Sequence, residues 1–422
     1  MSTQTLDSLC TINPEALGAA TPMDMEFRYL DISAVTKGRI DWSATQLWKY
    51  ADAPSRARRR LHSGDILLCT VRPGLQAHAR ICQEEDTSLV GSTGFAVLRP
   101  NLAGDSGFVF HQIFGDLVAA QLRALETGSS YPAVNEDDVR RVRVFCPKKE
   151  ERWRIAAVLD KVDEAIAKTE AVIAKLRQVR AGMLHDLLTR GLHQNGQLRD
   201  PIAHPEQFQD SPLGRIPREW EAGELADLVC KDRPIVYGIL MPGRGFRDGV
   251  PVIKVKDIRD GRIDKSGLLL TDPRIDEAYR RSRVRTGDLL FTIRGTVGRM
   301  AFVPPELNDA NITQDTARVS LQDANPLFIA RWLETRVPAR FIDVHTIGVA
   351  VRGINLGEVR QVPVVMPSKE EQDRIATIIS LAEQRLEIEV GVLESLRKVK
   401  SGLMADLLTG HVRVPDTVEV ST

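Results

Sequence analysis

The sequence predicts an α/β protein made of two mixed α/β domains in a duplicated arrangement, separated by two long helices paired as an antiparallel coiled coil. Two observations predict this fold class. The chain of 422 residues repeats itself with a period of roughly 220 residues. Each copy ends in a long run of apolar residues at helical spacing. A period of this length is typical of a duplicated domain and is far too long for a solenoid repeat.

The repeat is clearest around the two long helices. Residues 147–156 return as residues 367–376, and the same register takes residues 186–189, with the sequence Asp-Leu-Leu-Thr, onto residues 406–409. Chance does not keep one register over about forty positions. The two helical segments are therefore copies of one ancestral element.

Shorter matches lie upstream, in the globular parts of each copy. The matched pairs are Gly-Arg-Ile-Asp at 38–41 and 261–264, Gly-Asp-Ile-Leu at 64–67 with Gly-Asp-Leu-Leu at 287–290, Asn135 with Asn355, and Val139 with Val359. Between these anchors the two copies diverge almost completely. A shared scaffold with two different binding surfaces explains the contrast, since binding residues concentrate in variable loops.

Residues 149–189 are predicted to form one helix, because apolar residues recur at alternating spacings of three and four with no proline between them. The predicted stripe contains Ile155, Leu159, Val162, Ile166, Ile173, Leu176, Val179, Met183 and Leu187, and in the second copy Ile375, Ile379, Leu386, Leu393, Leu396, Val399, Leu403 and Leu407. The second helix starts at a capping box from Ser368 to Glu371, and Gly191 and Gly410 suit the two C-termini.

Each helix would be on the order of 60 Å long, which exceeds what a domain of this size can cover. Each apolar stripe therefore needs a partner, and the two helices are the obvious partners for one another in a coiled coil. The alternative is two ordinary amphipathic helices, each packed separately on its own domain.

These patterns predict the following domain boundaries: a first domain over 1–146, a first helix over 147–191, a linker over 192–215, a second domain over 216–366, a second helix over 367–410 and a tail over 411–422. Within the domains, strands are predicted over 65–71, 95–98, 250–255, 288–293 and 362–366, and helices over 108–124 and 326–336.

The composition favours a globular protein in a reducing compartment. The 57 basic and 57 acidic residues give no net charge, which by itself argues mildly against a nucleic-acid partner. The basic residues are clustered, however, so a neutral total can hide basic faces. The five cysteines are scattered without metal or disulfide spacing. Neither an export signal nor an apolar run of membrane length is visible, so we expect a cytoplasmic protein.

Motifs for catalysis are missing. The sequence contains no phosphate-binding loop for ATP and no zinc-protease motif, and we find no convincing nuclease set of carboxylates with a lysine. Residues 325–328, Asn-Pro-Leu-Phe, are a near miss to a methyltransferase motif, but an asparagine cap followed by proline in the first turn explains them structurally. We therefore expect a chain that is not an enzyme, with no catalytic residue, no metal site and no cofactor of its own.

The duplicated set of motifs resembles the specificity subunit of type I restriction-modification systems. The resemblance rests on the segments opening at Pro147 and Pro367, each followed by a long helix ending in Asp-Leu-Leu-Thr, with about 150 variable residues before each. Residues 216–220, Ile-Pro-Arg-Glu-Trp, are similar to the entry of that family's second recognition domain. The first half has no such entry.

The resemblance implies a non-catalytic subunit with two target-recognition domains, each recognising one half of a bipartite double-stranded DNA target, and helices that set the spacing. It also implies partners: two methylation subunits that use S-adenosylmethionine, and motor-nuclease subunits that use ATP and Mg. A coiled-coil scaffold or adaptor without DNA specificity is the main alternative. A fused enzyme is disfavoured by the missing motifs.

Candidate base contacts lie in two loops of each domain. The first loop follows each Gly-Asp strand and contains Arg72 and Gly74 in one copy and Arg294, Gly295 and Thr296 in the other, where arginine can bind guanine with two hydrogen bonds. The second loop precedes the repeated asparagine and contains Ser129, Ser130 and Tyr131, or Arg352. The alternatives are an ordinary strand-ending turn and an unconstrained surface loop.

A second set of arginines is predicted to contact DNA phosphates, which adds salt-dependent affinity without sequence preference. These residues are Arg58, Arg59, Arg60, Arg281, Arg283 and Arg285. The alternative is that these arginine runs are only solvated surface.

Overall fold

The computed structural model of the chain describes residues 3–82, 88–128, 130–349 and 351–415. The chain divides into two compact units. The first unit extends to residue 172 and resumes at residue 389, and the second unit spans residues 173–388. Each unit thus contains one mixed α/β domain, the start of the long helix that follows that domain, and the end of the other long helix.

The first unit is built from short strands and helices that precede a long helix. Its strands are β1 Thr3–Thr5, β2 Cys10–Ile12, β3 Glu26–Leu30, β4 Val35–Thr36, β5 Arg39–Ile40, β6 Gln46–Lys49, β7 Ala57–Leu61, β8 Ile66–Cys69, β9 Ala79–Arg80, β10 Leu89–Ser92, β11 Phe95–Pro100 and β12 Arg143–Phe145. Its helices are α1 Leu6–Leu9, α2 Ser106–Gln112, α3 Asp116–Leu125, α4 Glu136–Arg141 and the first part of α5 Lys149–Thr189.

Two four-stranded sheets form the body of the first unit, in the orders β6-β3-β10-β7 and β2-β11-β8-β9. Strands β8 and β11 are buried on both faces. Ile66 and Leu68 pack with helices α2 and α3, whereas Leu67 and Phe95 pack against the other sheet. Strands covered on both faces are apolar at every position rather than at alternate ones, and this explains why residues 66–69 and 95–98 are continuous apolar runs.

The second unit contains the end of α5, a second domain and the start of the second long helix. Its strands are β13 Phe208–Ser211, β14 Gly214–Pro217, β15 Glu221–Glu224, β16 Val236–Tyr237, β17 Val250–Ile253, β18 Ile258–Arg259, β19 Arg262–Ile263, β20 Leu269–Thr271, β21 Leu289–Thr292, β22 Met300–Phe302, β23 Asn311–Ile312, β24 Thr316–Val319 and β25 Pro363–Met366. Its helices are α6 Pro273–Ala278, α7 Pro326–Leu333, α8 Arg336–Val344, α9 Leu356–Arg360 and the first part of α10 Lys369–Leu407.

The second domain repeats the architecture of the first. The sheet β16-β24-β21-β22 corresponds to β2-β11-β8-β9, and β20-β17-β23 corresponds to β6-β3-β10. The N–H of Val284 donates to the carbonyl of Ala310 next to β23, at the place that β7 occupies in the first unit. The predicted duplication of a mixed α/β domain is therefore confirmed at the level of strand order.

Helix α5 covers Lys149–Thr189, the range that the sequence predicted for it, and α10 covers Lys369–Leu407. Ion pairs between them show their relative direction within each unit. In the first unit Asp163 lies 2.6 Å from Lys400, and Glu170 lies 2.8 Å from Arg397. In the second unit Arg180 lies 2.6 Å from Glu383. The residue number on α10 falls as that on α5 rises, so the predicted antiparallel pairing is confirmed.

One position of the predicted apolar stripe is wrong in each helix. Val179 and Val399 are both 52% exposed. The next residues, Arg180 and Lys400, face the neighbouring helix instead and form the ion pairs just described. A spacing of three or of four residues places either of two adjacent positions toward the partner helix. We chose the valine because it is apolar, but the charged residue after it faces the partner. The stripe is thus interrupted by charged pairs in both copies.

The helix predicted over 108–124 is two helices, α2 and α3. Gly115 separates them with ψ of 150°, an extended conformation that caps the start of α3. The helix predicted over 326–336 is confirmed at its start. Helix α7 begins at Pro326, and the side chain of Asn325 accepts hydrogen bonds from the N–H groups of Leu327 and Phe328. The structural explanation of this near-miss motif is confirmed.

The predicted capping box at the start of α10 is only half formed. The hydroxyl of Ser368 accepts a hydrogen bond from the N–H of Glu371, but the Glu371 carboxylate binds Arg199 and the N–H of Leu192 instead. Arg199 and Glu371 are both buried. Part of the segment predicted as a linker therefore packs into the second unit, and its β13 and β14 form a hairpin.

The repeated Gly-Asp motifs are scaffold elements. Asp65 and Asp288 are buried, and each accepts a backbone N–H three residues before it. Each carboxylate also binds an arginine, Arg99 in the first unit and Arg233 in the second. The repeated Gly-Arg-Ile-Asp motif has a comparable role, because its arginine forms an ion pair with the long helix of the same unit.

Within the described ranges, no helix is both long enough and apolar enough to cross a membrane. The predicted domain boundaries themselves stay predictions.

Candidate nucleic-acid interface

In both units the candidate loops leave the same edge of one sheet. Neighbouring strands in β2-β11-β8-β9 are antiparallel, so the ends of β2 and β8 lie beside the starts of β11 and β9. The loop after β8, residues 70–76, therefore emerges at this edge. The same argument places the loop after β21, residues 293–299, at the corresponding edge of the second unit.

The structure brings the two predicted loops of the first unit together. Val71 pairs with Ala133, and the N–H of Arg72 donates to the carbonyl of Pro132 at 2.7 Å. The Arg72 guanidinium lies 4.6 Å from the centre of the Tyr131 ring and donates to the carbonyl of Ser130. Ser129 lies outside the described residues.

Arg72 and Tyr131 form an exposed, oriented pair. The φ of Arg72 is +49°, a left-handed conformation that is uncommon for residues other than glycine. Tyr131 is 72% exposed, so its ring supports the arginine without covering it. No atom lies within 4 Å of a Cβ built on Gly74, and the backbone there is open to a ligand. An arginine held in this way can present two donors to a base edge.

The second unit has the same arrangement. Arg294 and Ile347 both pair with Gly353, and the N–H of Gly295 donates to the carbonyl of Arg352 at 2.8 Å. The side chain of Arg352 forms an ion pair with Asp343 at 2.6 Å. The two predicted loops are therefore paired with each other in both units. Unconstrained surface loops, the alternative interpretation, would not pair in the same way twice.

The loops of the second unit border an open cleft of about 600 Å³ that is rich in cations. It is lined by Val255, Lys256, Arg259, Arg294, Gly295, Thr296, Arg299, Asp315 and Val351. Arg294 lies 3.9 Å from the carboxylate of Asp315. Four cations around one carboxylate give the cleft a positive charge, which suits a polyanion.

Among the charged residues that line the cleft, four were not predicted from the sequence: Lys256, Arg259, Arg299 and Asp315. Lys256 and Arg259 come from one part of the chain and Asp315 from another, and only the folded sheet brings them to the loop that contains Arg294 and Arg299. One signal was available. Lys256 and Arg259 stand just before the repeated Gly-Arg-Ile-Asp motif, where the first copy has Ser33 and Thr36. A charge difference beside a matched anchor indicates a variable binding surface.

The predicted phosphate contacts of the first unit lie on β7, in the other sheet. Arg58 lies over the ring of Tyr50, with 5.2 Å between the guanidinium carbon and the ring centre. Arg59 is half-buried; burial lowers the pKa of its guanidinium, and the charge of Glu136 opposes this shift. Arg60 is exposed. These three residues are thus not equally available to a phosphate.

The corresponding arginines of the second unit also differ from one another. Arg281 and Arg285 are exposed. Arg283 forms ion pairs with Asp276 and Glu277, and the hydrogen bond to Asp276 raises the pKa of its guanidinium. Arg283 therefore already has two carboxylate partners.

The described part of the chain holds no cluster of histidine, cysteine, aspartate or glutamate side chains with the geometry of a metal site. The two loop edges offer arginine donors, an aromatic ring and open glycine backbone. Such groups bind by hydrogen bonding, stacking and charge.

These features define a class of protein: a duplicated α/β domain in which each copy presents a two-loop edge and is joined to paired antiparallel helices. Comparisons with known proteins refine this class. No family model matches the chain. Two curated relatives are type I restriction enzyme specificity subunits. One is the EcoBI subunit of Escherichia coli, 31% identical over 224 residues, which are 53% of this chain and 46% of that protein.

The other relative is the MjaVIII specificity subunit of Methanocaldococcus jannaschii, 21% identical over 338 residues, which are 77% of this chain and 75% of that protein. The chain thus spans about half the length of the Escherichia coli protein that it matches. The chain is similar in sequence to type I restriction enzyme specificity subunits, and the resemblance drawn from the repeats is confirmed.

Solved structures share the fold over nearly the whole chain. One comes from a study of assembly and conformational transition in a type I restriction-modification system, with a TM-score of 0.56, 22% identity, and coverage of 97% of this chain and 98% of that chain. Another is the S subunit of a type I system from M. genitalium, with a TM-score of 0.56, 14% identity and coverage of 96% of each chain.

Proposed function

We propose that this chain is the DNA-sequence specificity subunit of a type I restriction-modification complex, and that each of its two domains recognises one half of a bipartite DNA target. One observation supports this proposal above the others. Both domains present the same two-loop edge on the same sheet, yet with different side chains, Arg72 and Tyr131 in one and Arg294 and Arg352 in the other. One scaffold with two surfaces suits two short, different target sequences.

Base contacts in this proposal come from the arginines of the first loops. Arginine binds the O6 and N7 atoms of guanine in the major groove with two parallel hydrogen bonds. Arg72 is oriented by the Tyr131 ring, and Arg294 is oriented by Asp315. Lys256, Arg259 and Arg299 supply charge for the phosphates beside the second half-site.

The helices supply spacing and docking in this proposal. Each long helix also has apolar side chains that its partner does not cover. On α10 these are Leu381 and Ile388, seven residues apart in the second unit, and Val392 and Val399, seven apart in the first. Apolar residues repeated every seven positions form a helix face that can pack against a further helix. We assign these faces to methylation subunits.

Catalysis belongs to the partners in this proposal. The chain binds no cofactor itself; methylation subunits use S-adenosylmethionine, and motor-nuclease subunits use ATP and Mg. The chain contributes the choice of sequence and positions the catalytic subunits on it.

Binding to duplex DNA tests the proposed function. The chain, assembled with the methylation subunits of its host, is expected to bind target duplex with an affinity that falls steeply with salt, and at least 10³-fold more tightly than random duplex of equal length, on the order of the ratio for specific binders. Equal affinity for target and random duplex would remove DNA specificity and favour the alternative, a coiled-coil scaffold without it.

A further inference from the structure

Residues 238–249 of the second unit form a loop whose backbone is fixed at both ends by close contacts. A Cβ on Gly238 would lie 1.9 Å from the carbonyl oxygen of Ile312, and one on Gly249 would lie 2.2 Å from that of Thr271. Only glycine permits such approaches. Both ends of the loop are therefore held against neighbouring strands.

Hydrogen bonds hold the middle of the same loop. The buried hydroxyl of Thr271 donates to the carbonyl of Pro242 at 2.8 Å, and the N–H of Phe246 donates to the carbonyl of Leu270 at 2.9 Å. The loop thus has one well-defined backbone path, although it has no regular secondary structure of its own.

This fixed loop exposes three large apolar side chains. Leu240, Met241 and Phe246, which we call the apolar tip, are 48%, 83% and 44% exposed. Arg244 and Arg247 lie between and beside them and are also exposed. Large apolar side chains grouped on a rigid, exposed loop with cationic neighbours mark a binding surface, because leaving them in water is unfavourable.

The apolar tip begins at the same sheet edge as the cationic cleft. Ile239 is fully buried, pairs with Thr313 and accepts a hydrogen bond from the N–H of Gln314. The next residue, Asp315, accepts backbone hydrogen bonds from residues 293 and 294 and lines the cleft. Leu240, the first residue of the apolar tip, follows Ile239 directly. Ile239 is hydrogen-bonded to Gln314, and the neighbouring Asp315 is hydrogen-bonded to the backbone of Arg294.

The first unit is built differently at this place. Asn13 follows β2, and the chain then turns inward, so that Leu17 is buried and its N–H donates to the carbonyl of Arg58. Met23 is the one large apolar side chain exposed in the corresponding segment of the first unit, so the full set of three belongs to the second unit among the described residues.

We propose that the apolar tip inserts into the groove of duplex DNA beside the half-site bound by the second unit and unstacks one base step there. This proposal rests on the proposed function. Apolar side chains flanked by arginine are the usual means by which proteins wedge open a base step. The fixed backbone lowers the ordering entropy of such an insertion. The cleft has four cations and one carboxylate, and the loop has Arg244 and Arg247, of which Arg247 pairs with Asp248; the net positive charge complements phosphates.

The test uses the full chain assembled with its host methylation subunits and a target duplex selected from a randomised pool. Copies of this duplex have the fluorescent base 2-aminopurine at successive positions along and beside the half-site of the second unit. Insertion is expected to raise the fluorescence several-fold at one base step. The double variant Met241→Ala with Phe246→Ala should abolish the rise and weaken specific binding about tenfold, the scale of one lost base contact.

Matched controls separate this effect from a loss of exposed apolar area. Met23→Ala in the first unit and Ile202→Ala in the second remove side chains that are 66% and 90% exposed, and both should leave the fluorescence rise and the affinity unchanged. Circular dichroism and the midpoint of thermal unfolding verify that each variant is folded.

The outcomes distinguish the two proposals. If the complex selects no duplex at all, the proposed function fails. If it binds a selected duplex but shows no fluorescence rise, or only a rise that the double variant retains, only the insertion is overturned, because base flipping by the methylation subunits also raises the fluorescence. The insertion is also overturned if the double variant binds target DNA normally but no longer assembles with methylation subunits, because the tip would then contact protein.

Discussion

At the residue scale, the specificity that we propose depends on arginines that the fold holds at one sheet edge. The loops containing Arg72 and Arg294 were predictable, because both follow the repeated Gly-Asp strands. Lys256 and Asp315 were not, since they approach Arg294 only after the sheet and its flanking turns have formed. The folded environment also separates arginines that look alike in sequence, such as the ion-paired Arg283 and the exposed Arg285.

Replacing the candidate base contacts should alter one half of the target at a time. Arg294→Ala should reduce discrimination at one base pair of the second half-site by about 1–3 kcal/mol, because a bidentate contact is lost. Arg72→Ala should do the same in the first half-site. Selection of bound duplexes from a randomised pool measures both effects.

The matched control is Arg274→Ala, which removes an exposed arginine that pairs with Asp272 outside the cleft. It should leave both half-sites unchanged. If Arg294→Ala weakens binding to all sequences equally, Arg294 contacts phosphate and not a base.

A buried histidine makes the first unit sensitive to acid. His78 is 1% exposed, its Nδ1 accepts the N–H of Cys69 at 2.9 Å, and burial lowers its pKa to about 4. The folded state therefore binds the proton less readily than the unfolded chain, where the pKa is 6.5. The stability that His78 contributes is complete above pH 6.5 and is lost as pH falls toward 4.

Wild-type chain should accordingly lose about 2 kcal/mol more of its unfolding free energy between pH 7 and pH 4.5 than His78→Gln or His78→Asn. Guanidinium unfolding at the two pH values measures the difference. An equal loss in wild type and in both variants would show that His78 is not the titrating group.

At the element scale, the long helices were the most predictable part of the chain. A run of forty or so residues without proline, with apolar spacing of three and four, leaves few alternatives to a helix. The shorter helices depend on local detail. The break at Gly115 between α2 and α3 is set by one glycine and by tertiary packing, and no periodicity shows it. The error at Val179 and Val399 has a similar origin, because either of two adjacent positions can face the partner helix.

The ion pair between Arg180 and Glu383 should stabilise the helix pairing in the second unit. Burial alone would raise the pKa of Glu383, yet its hydrogen bonds with Arg331 and Arg180 lower it overall. Arg180→Glu should lower the unfolding midpoint of the chain by a few degrees, corresponding to about 1 kcal/mol.

Adding Glu383→Lys to Arg180→Glu should restore an opposite-charge pair between the helices but lose the pair of Glu383 with Arg331, so the double variant should stay less stable than wild type. The control is Lys168→Glu, which disrupts an exposed pair with Glu164 on α5 alone and should change the midpoint by less than a degree or so. A midpoint that does not respond to Arg180→Glu would mean that apolar contacts alone hold the helices together.

The helices should also act as a ruler. Inserting four residues, about one helical turn, into both helices near residues 172 and 390 should lengthen the preferred gap between half-sites by one or two base pairs. Insertion into one helix alone is the control and should disrupt the pairing. An unchanged gap after the double insertion contradicts the ruler.

At the scale of the whole molecule, self-comparison of the sequence was sufficient to predict a duplicated α/β domain with paired helices. It could not predict that each compact unit combines the start of one long helix with the end of the other, because helix pairing joins residues more than two hundred positions apart. The identity of the recognised bases is similarly a property of loop geometry, and the two copies share no code in their variable segments.

Duplication gives the chain two related surfaces and two related helix pairs. A duplicated chain can in general match the antiparallel strands of DNA and a pair of identical partner subunits. The division of labour that we propose follows from this duplication: matched segments hold the scaffold, and unmatched loops select the sequence.

The central claim, that two domains on one chain recognise two halves of one target, is tested most directly by selecting duplexes from a randomised pool with the chain and its methylation subunits and sequencing the bound fraction. We predict two short conserved blocks of different sequence, separated by a gap of fixed length in which all four bases occur equally. A single continuous block, or two blocks separated by a variable gap, would contradict the account.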